Sequence, residues 1–176
     1  ACGKIPGTHI WCNALNTARS ELPSLNDAWR TSLERIKDDS KEDAIINSWW
    51  DFGHWFKFWA DRAVTFDGTS QNTPQAHWIG KVLLTNNEKT AVGILRMLDC
   101  SGGATGGGTA AFGLISEKVN DGTETVSILN NIISKDKEGA RKILKENFND
   151  KEINVILEQT HCQPPENYFI TSEDMV

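Results

Sequence analysis

The sequence predicts an α+β fold: N-terminal helices, then a meander of about four antiparallel strands, then C-terminal helices. Three observations carry this reading. Apolar residues recur at helical spacing over about 41–63, two pairs of strand-like runs each flank a turn signal, and Asn149 with Glu152 reads as a helix cap with its reciprocal partner. Gaps between the strand-like runs are too short for the helical crossovers that a parallel sheet needs. At 176 residues and 19.6 kDa, one compact domain over 1–176 is expected. Its helical part covers about 13–63, its sheet about 64–133, and its closing helices and tail about 135–176.

Residues 1–13 read as an irregular arm, with Gly3, Pro6 and Gly7. A short helix over about 13–22 ends at Pro23. Ser24 and Asp27 then open a second helix, with Leu25, Ala28, Trp29, Leu33 and Ile36 on one face. Ser40 and Asp43 repeat that signature before the third helix, about 41–63. Val64-Thr65-Phe66 and Asp67-Gly68 look like a short strand and a turn. Runs at 77–85 and 88–98 are expected to pair as a hairpin about Asn86-Asn87, and runs at 109–119 and 123–133 about Asn120-Asp121-Gly122. Helices over about 135–147 and 150–159 precede a Pro164-Pro165 tail.

Composition narrows the classes of function. A net charge of −6 argues against a nucleic-acid-binding face, and no run approaches the length of a membrane-spanning helix. The four cysteines, Cys2, Cys12, Cys100 and Cys162, contain no C-x-x-C pair, so a metal framework has no support. Two disulfides in an oxidising compartment are expected instead, with Cys2–Cys12 and Cys100–Cys162 as the preferred pairing. Together with a processed-looking start at Ala1, this predicts a secreted or periplasmic protein.

Seven tryptophans against one tyrosine is the compositional oddity, and four of them fall between Trp49 and Trp59. Wound as a helix, Ile45, Trp49, Phe52, Phe56, Trp59 and Ala63 form a core stripe. Trp50, His54, Phe58 and Asp61 share the opposite side, along with Lys57 and Asn47. Aromatic walls with a few placed polar groups suit a ligand site, so these four are expected to line a pocket between helix and sheet. Trp78 and the Gly102–Gly108 loop would form its rim, and Asp51, three residues before His54, could orient the imidazole. The expected ligand is a small or glycan-like molecule, with a protein partner as the alternative and no cofactor.

An enzymatic alternative uses Cys12 or Cys100 as nucleophile and His77 or His161 as base. Cys12 would open a helix, which favours a thiolate. Asp99-Cys100-Ser101-Gly102 resembles a four-residue run of a family of cell-wall peptidases, and that resemblance implies a cysteine amidase or hydrolase. A third possibility is a protein–protein module such as a toxin, inhibitor or immunity protein. Gly106-x-Gly108-x-x-Ala111 matches the dinucleotide fingerprint in letters only, because a strand-like run follows where a helix should start. His9, His54, His77 and His161 show no metal-binding spacing.

Overall fold

A computed structural model of the chain describes residues 25–101 and 110–172, together with Thr17, Ser20 and Met175. Chain contacts separate residues 1–32 from 33–176. In the first unit, Ser20 Oγ donates to the Thr17 carbonyl at 3.1 Å. Asn26 there opens helix α1 (Asp27–Asp39), its side chain accepting from the Trp29 N–H at 3.1 Å. The second half of α1 belongs to the larger unit, where Leu33 is fully buried. Most of the helix expected over about 13–22, and the glycine run 102–108, lie outside the described residues.

The larger unit is built mainly of helix. After α1 come β1 (Ile45–Asn47), a helical knuckle over 50–60 and β2 (Ala63–Val64). Six helices follow among the described residues: α2 (Pro74–Leu84), α3 (Glu88–Cys100), α4 (Ala110–Val119), α5 (Gly122–Ile133), α6 (Lys137–Leu144) and α7 (Asp150–Thr160). Strand β3 (Asn167–Phe169) closes the order. The sheet has three short parallel strands in the order β2-β1-β3, with Ile45 opposite both Ala63 and Asn167. The expected antiparallel meander is absent among the described residues, and the α+β prediction fails.

Burial at helical period is the physical reason. The runs at 77–85 and 88–98 belong to α2 and α3, which bury Gln75, Trp78, Ile79 and Val82, and Gly93, Ile94, Met97 and Leu98. Helix α5 buries Thr125, Ile128, Leu129, Ile132 and Ile133. These spacings of three, four and one describe one face of a helix, and they override the strand preference of β-branched residues. The supposed hairpin turns are helix caps. Asn87 accepts from the Thr90 N–H at 3.0 Å and Asp121 from the Glu124 N–H at 2.9 Å. Asn120, at φ 52°, makes the reversal between α4 and α5. At Asn149 and Glu152 the expected capping box is present.

The helix expected over 41–63 is also broken. Ile45 and Ile46 lie in a strand whose partners come from 63–64 and 167–169. The Ile45 N–H donates to the Glu166 carbonyl at 2.9 Å, and the Asn47 carbonyl accepts from Ile170 at 2.9 Å. Long-range pairing here defeats a strong local period.

Trp78, Ile79, Leu98, Ile115, Leu129 and Leu157 are at the centre of the core. Helices α3 and α5 approach closely at Gly93, where a Cβ would stand 2.0 Å from the Ile133 carbonyl oxygen. Cys100 and Cys162 form a disulfide that ties the end of α3 to the residues just after α7, as expected. Cys2 and Cys12 lie outside the described residues.

Candidate functional site

From β1 the chain leaves through Trp49, which is extended at φ −67° and ψ 154°. It then winds through a 3-10 turn (Trp50–Phe52), one α turn (Gly53–Trp55) and a π turn (Phe56–Ala60). Such π turns are frequent at functional sites. Gly53 is obligatory here: a Cβ would lie 2.6 Å from the Phe66 carbonyl oxygen and 2.6 Å from Asp67 Cβ. Phe56 and Ala60, four residues apart, point inward and are fully buried. Asp61, in the left-handed region at φ 52° and ψ 43°, ends the knuckle. Buried Arg62 then locks that end, donating to Ser40 Oγ and the Ser40 carbonyl at 2.8 Å and to the Lys37 carbonyl at 2.6 Å. Trp49 meets Phe66 edge-on, with ring centroids 5.3 Å apart.

Asp67 is the polar centre beneath the knuckle. Its buried carboxylate accepts from Lys57 Nζ at 2.5 Å, from the Thr69 N–H at 2.9 Å and from Thr69 Oγ1 at 2.6 Å. His54 Nδ1 lies 3.9 Å from the same carboxylate. Burial pushes the Asp67 carboxyl up, but the Lys57 ammonium and the Thr69 hydrogen bonds outweigh it and hold the group well below the ordinary carboxylate range. Gly68 sits directly against the His54 ring, whose Nε2 would be 3.1 Å from a Cβ there.

Above this base the knuckle presents an aromatic and acidic surface. Phe58 is 70% exposed and Trp55 44%, and Asp51, His54 and Lys57 are exposed beside them. Trp50, Phe52 and Trp59 are half-buried. Lys37 Nζ lies 3.1 Å from Asp61 Oδ2, so the lysines at 37 and 57 are both paired to aspartates.

Of the residues expected to share one pocket, His54, Phe58 and Asp61 reach the surface of the knuckle. Trp50 packs partly against the core. Trp78 is in α2, 1% exposed, and its ring meets His77 edge-on with centroids 4.9 Å apart. The expected catalytic residues do not come together in the described structure. Cys100 is in a disulfide, Cys12 lies outside the described residues, and His77 is exposed on α2. His161 is buried between Thr160 Oγ1 at 2.8 Å and the Lys135 carbonyl at 3.2 Å. Burial, with the nearby charge of Arg96, lowers its pKa from the ordinary histidine value. The sequence puts Lys57 on the face shared by Trp50, His54, Phe58 and Asp61, but it shows Asp67 only as part of a turn and does not reveal that the two pair across ten residues. Among the described residues, no group of three or more His, Cys, Asp or Glu side chains could hold a metal ion.

Comparison with known proteins gives these observations a context. Residues 41–104 match the family model described as the STT3/PglB/AglB core domain. The chain is 39% identical over 158 residues to a dolichyl-phosphooligosaccharide-protein glycotransferase of Methanococcus voltae, a match covering 88% of this chain and 17% of that protein. It is 38% identical over 160 residues to the protein of the same name from Methanocaldococcus jannaschii, covering 89% of this chain and 17% of the relative. A shorter match, 29% identical over 73 residues, reaches the dolichyl-diphosphooligosaccharide–protein glycosyltransferase subunit stt-3 of Caenorhabditis elegans, covering 42% of this chain and 10% of the relative. No solved structure matches. The chain thus spans 17% of the length of the two archaeal relatives. The knuckle, Asp67, α2 and α3 all fall within the matched segment 41–104.

These similarities overturn the expected exported ligand-binding protein, the cysteine hydrolase and the interaction module. The relatives are named as transferases of a lipid-linked oligosaccharide to protein, which is a different chemistry from each. The secreted or periplasmic placement falls with them. No described helix is long and apolar enough to cross a membrane.

Proposed function

We propose that this chain is a segment of an oligosaccharide-to-protein glycotransferase, and that its knuckle over Trp49–Phe58 contacts the polypeptide acceptor. The observation that carries this is the exposed Asp51, His54, Trp55 and Phe58 surface inside the segment similar to the STT3/PglB/AglB core domain. The chemistry favours acceptor over donor. A dolichyl-linked oligosaccharide brings phosphate, which calls for unpaired cations, and Lys57 and Lys37 are already matched to Asp67 and Asp61. A polypeptide instead offers amide and hydroxyl donors to a carboxylate such as Asp51, and apolar surface to rings such as Trp55 and Phe58. The rest of the catalytic apparatus, and the membrane-held donor, would belong to parts of the enzyme that this chain does not include.

The test is a titration of the isotopically labelled chain with short peptides carrying Asn-x-Thr, the acceptor pattern of N-linked glycosylation, against peptides with Gln in place of Asn. Chemical-shift changes are expected to concentrate at Asp51, His54, Trp55 and Phe58. Asp51→Asn and Phe58→Ala should each weaken the response by roughly tenfold, the equivalent of about 1.4 kcal/mol. Shifts confined to the α4–α7 helices, or produced equally by a soluble polyprenyl phosphate, would refute the acceptor reading.

A further inference from the structure

One buried carboxylate has no part in the surface just described. Asp99, on the last turn of α3, is 5% exposed. Its Oδ1 accepts from Asn47 Nδ2 at 2.8 Å, and its Oδ2 accepts from Asn167 Nδ2. The Asn47 side-chain oxygen in turn accepts from Thr65 Oγ1. A single chain of hydrogen bonds therefore links the residue after β2, the end of β1, helix α3 and the start of β3. Asn47 is fully buried and stands two residues before Trp49, where the knuckle leaves the sheet. The far side of the same helix end is fixed independently. Ser101 Oγ donates to the Gln159 carbonyl at 3.0 Å, Arg96 Nε to the Thr160 carbonyl at 3.0 Å, and Cys100 is bonded to Cys162.

We infer that Asp99 is a positioning residue for the knuckle: its ionised carboxylate holds Asn47 and Asn167 in register, and a proton taken up there loosens the direction in which Ser48–Phe52 leaves β1. This rests on the acceptor reading only for its functional consequence; the conformational coupling stands without it. The geometry gives the reason. A carboxylate is a pure acceptor and satisfies two amide donors at once, whereas the neutral acid accepts more weakly and adds an O–H that needs its own acceptor in a buried place. Among the described residues, no charged side chain from a neighbouring element is hydrogen-bonded to the group. Arg96 on α3 is spent on backbone carbonyls, and His161 beyond α7 on Thr160 and Lys135. On α2, Lys81 binds Asn130 and His77 is exposed; beside β3, Glu166 takes the Lys41 N–H. Burial accordingly raises the Asp99 pKa to about 6, against the pull of the two amides, so the proton exchanges under mildly acidic conditions.

The experiment follows the side-chain amides of Asn47 and Asn167 and the indole N–H groups of Trp49 and Trp50 by NMR from pH 4.5 to 8. All four are expected to shift together with one midpoint near pH 6. The transition should persist in His54→Gln and His161→Gln, which remove the imidazoles, and vanish in Asp99→Asn. If Asp99→Asn does not fold, the Asp99 carboxyl carbon in the unaltered chain serves as the probe, and its midpoint should coincide with that of the indoles. Indoles that titrate identically in Asp99→Asn, or whose midpoint differs from that of the carboxyl, would overturn the proposal. Acceptor peptide added at pH 5 and pH 7.5 separates the two readings. A peptide that binds at neither pH defeats the acceptor reading while the indole titration still decides this one.

Discussion

Asp67 and Gly53, both buried, support the candidate surface from beneath. Asn in place of Asp67 keeps one acceptor for the Thr69 N–H but releases Lys57, so Asp67→Asn should cost about 1–3 kcal/mol and change the environments of His54 and Lys57. Gly53→Ala forces a methyl to within 2.6 Å of backbone at Phe66 and should cost about 3 kcal/mol without altering any charge. Urea unfolding of the two variants checks both values. A Gly53→Ala chain as stable as the parent would mean that the knuckle can lift from the 66–67 turn. At this scale the sequence was partly legible. His54, Phe58 and Asp61 were picked out by their position around a helix, and they do reach the surface, although the helix assumed for them is interrupted. The pairing of Lys57 with Asp67 was not legible because no spacing rule relates residues that meet only after a strand and a turn have formed.

Among the elements, α1 and the two closing helices were read from local chemistry, and the middle was not. The Asn149–Glu152 capping box is a purely local arrangement of two side chains and two N–H groups, so it survives any tertiary context. The segments forming α2 to α5 are rich in Val, Ile and Thr and are bordered by Asn, Asp and Gly, which satisfy the pattern of a hairpin as well as that of a capped helix. Buried spacing decided between them, and spacing of burial is known only once a core exists. The parallel sheet was beyond reach for a related reason: β1 pairs with a strand more than a hundred residues away. The disulfide was legible because cysteines are few. It closes a separation of 62 residues, so Cys100→Ser with Cys162→Ser should lower stability by about 4 kcal/mol on the chain-entropy account. Reduced and oxidised protein compared by thermal unfolding measures that loss, and an unchanged midpoint would show that the α3–α7 contact alone holds the two helix ends.

For the larger unit as a whole, the two buried aspartates pull stability in opposite directions along the pH axis. Asp67 has a folded pKa below its unfolded value near 4, so its contribution is present above that pH and is lost as the pH falls below it. Asp99 has a folded pKa of about 6, above its unfolded value, so the folded state binds the proton more tightly. Its contribution is fully present below about pH 4 and is lost as the pH rises through 6, a change of about 3 kcal/mol for a group this buried. His161, lowered by burial, works against Asp99 because it favours folding at the higher pH, so the native profile alone does not isolate either group. The difference between native chain and Asp99→Asn does. Urea midpoints taken from pH 3.5 to 8 should show the native chain losing stability relative to Asp99→Asn between pH 4 and 6, with a constant difference above pH 7. The acid limb below pH 4 should be present in both and smaller in Asp67→Asn, where Glu152, held low by Lys118 and the Asn149 N–H, still contributes. A difference curve of the opposite slope would mean that Asp99 is stabilised as a carboxylate by its two asparagines. The junction would then take up its proton only below about pH 4, and the midpoint near pH 6 would not belong to Asp99.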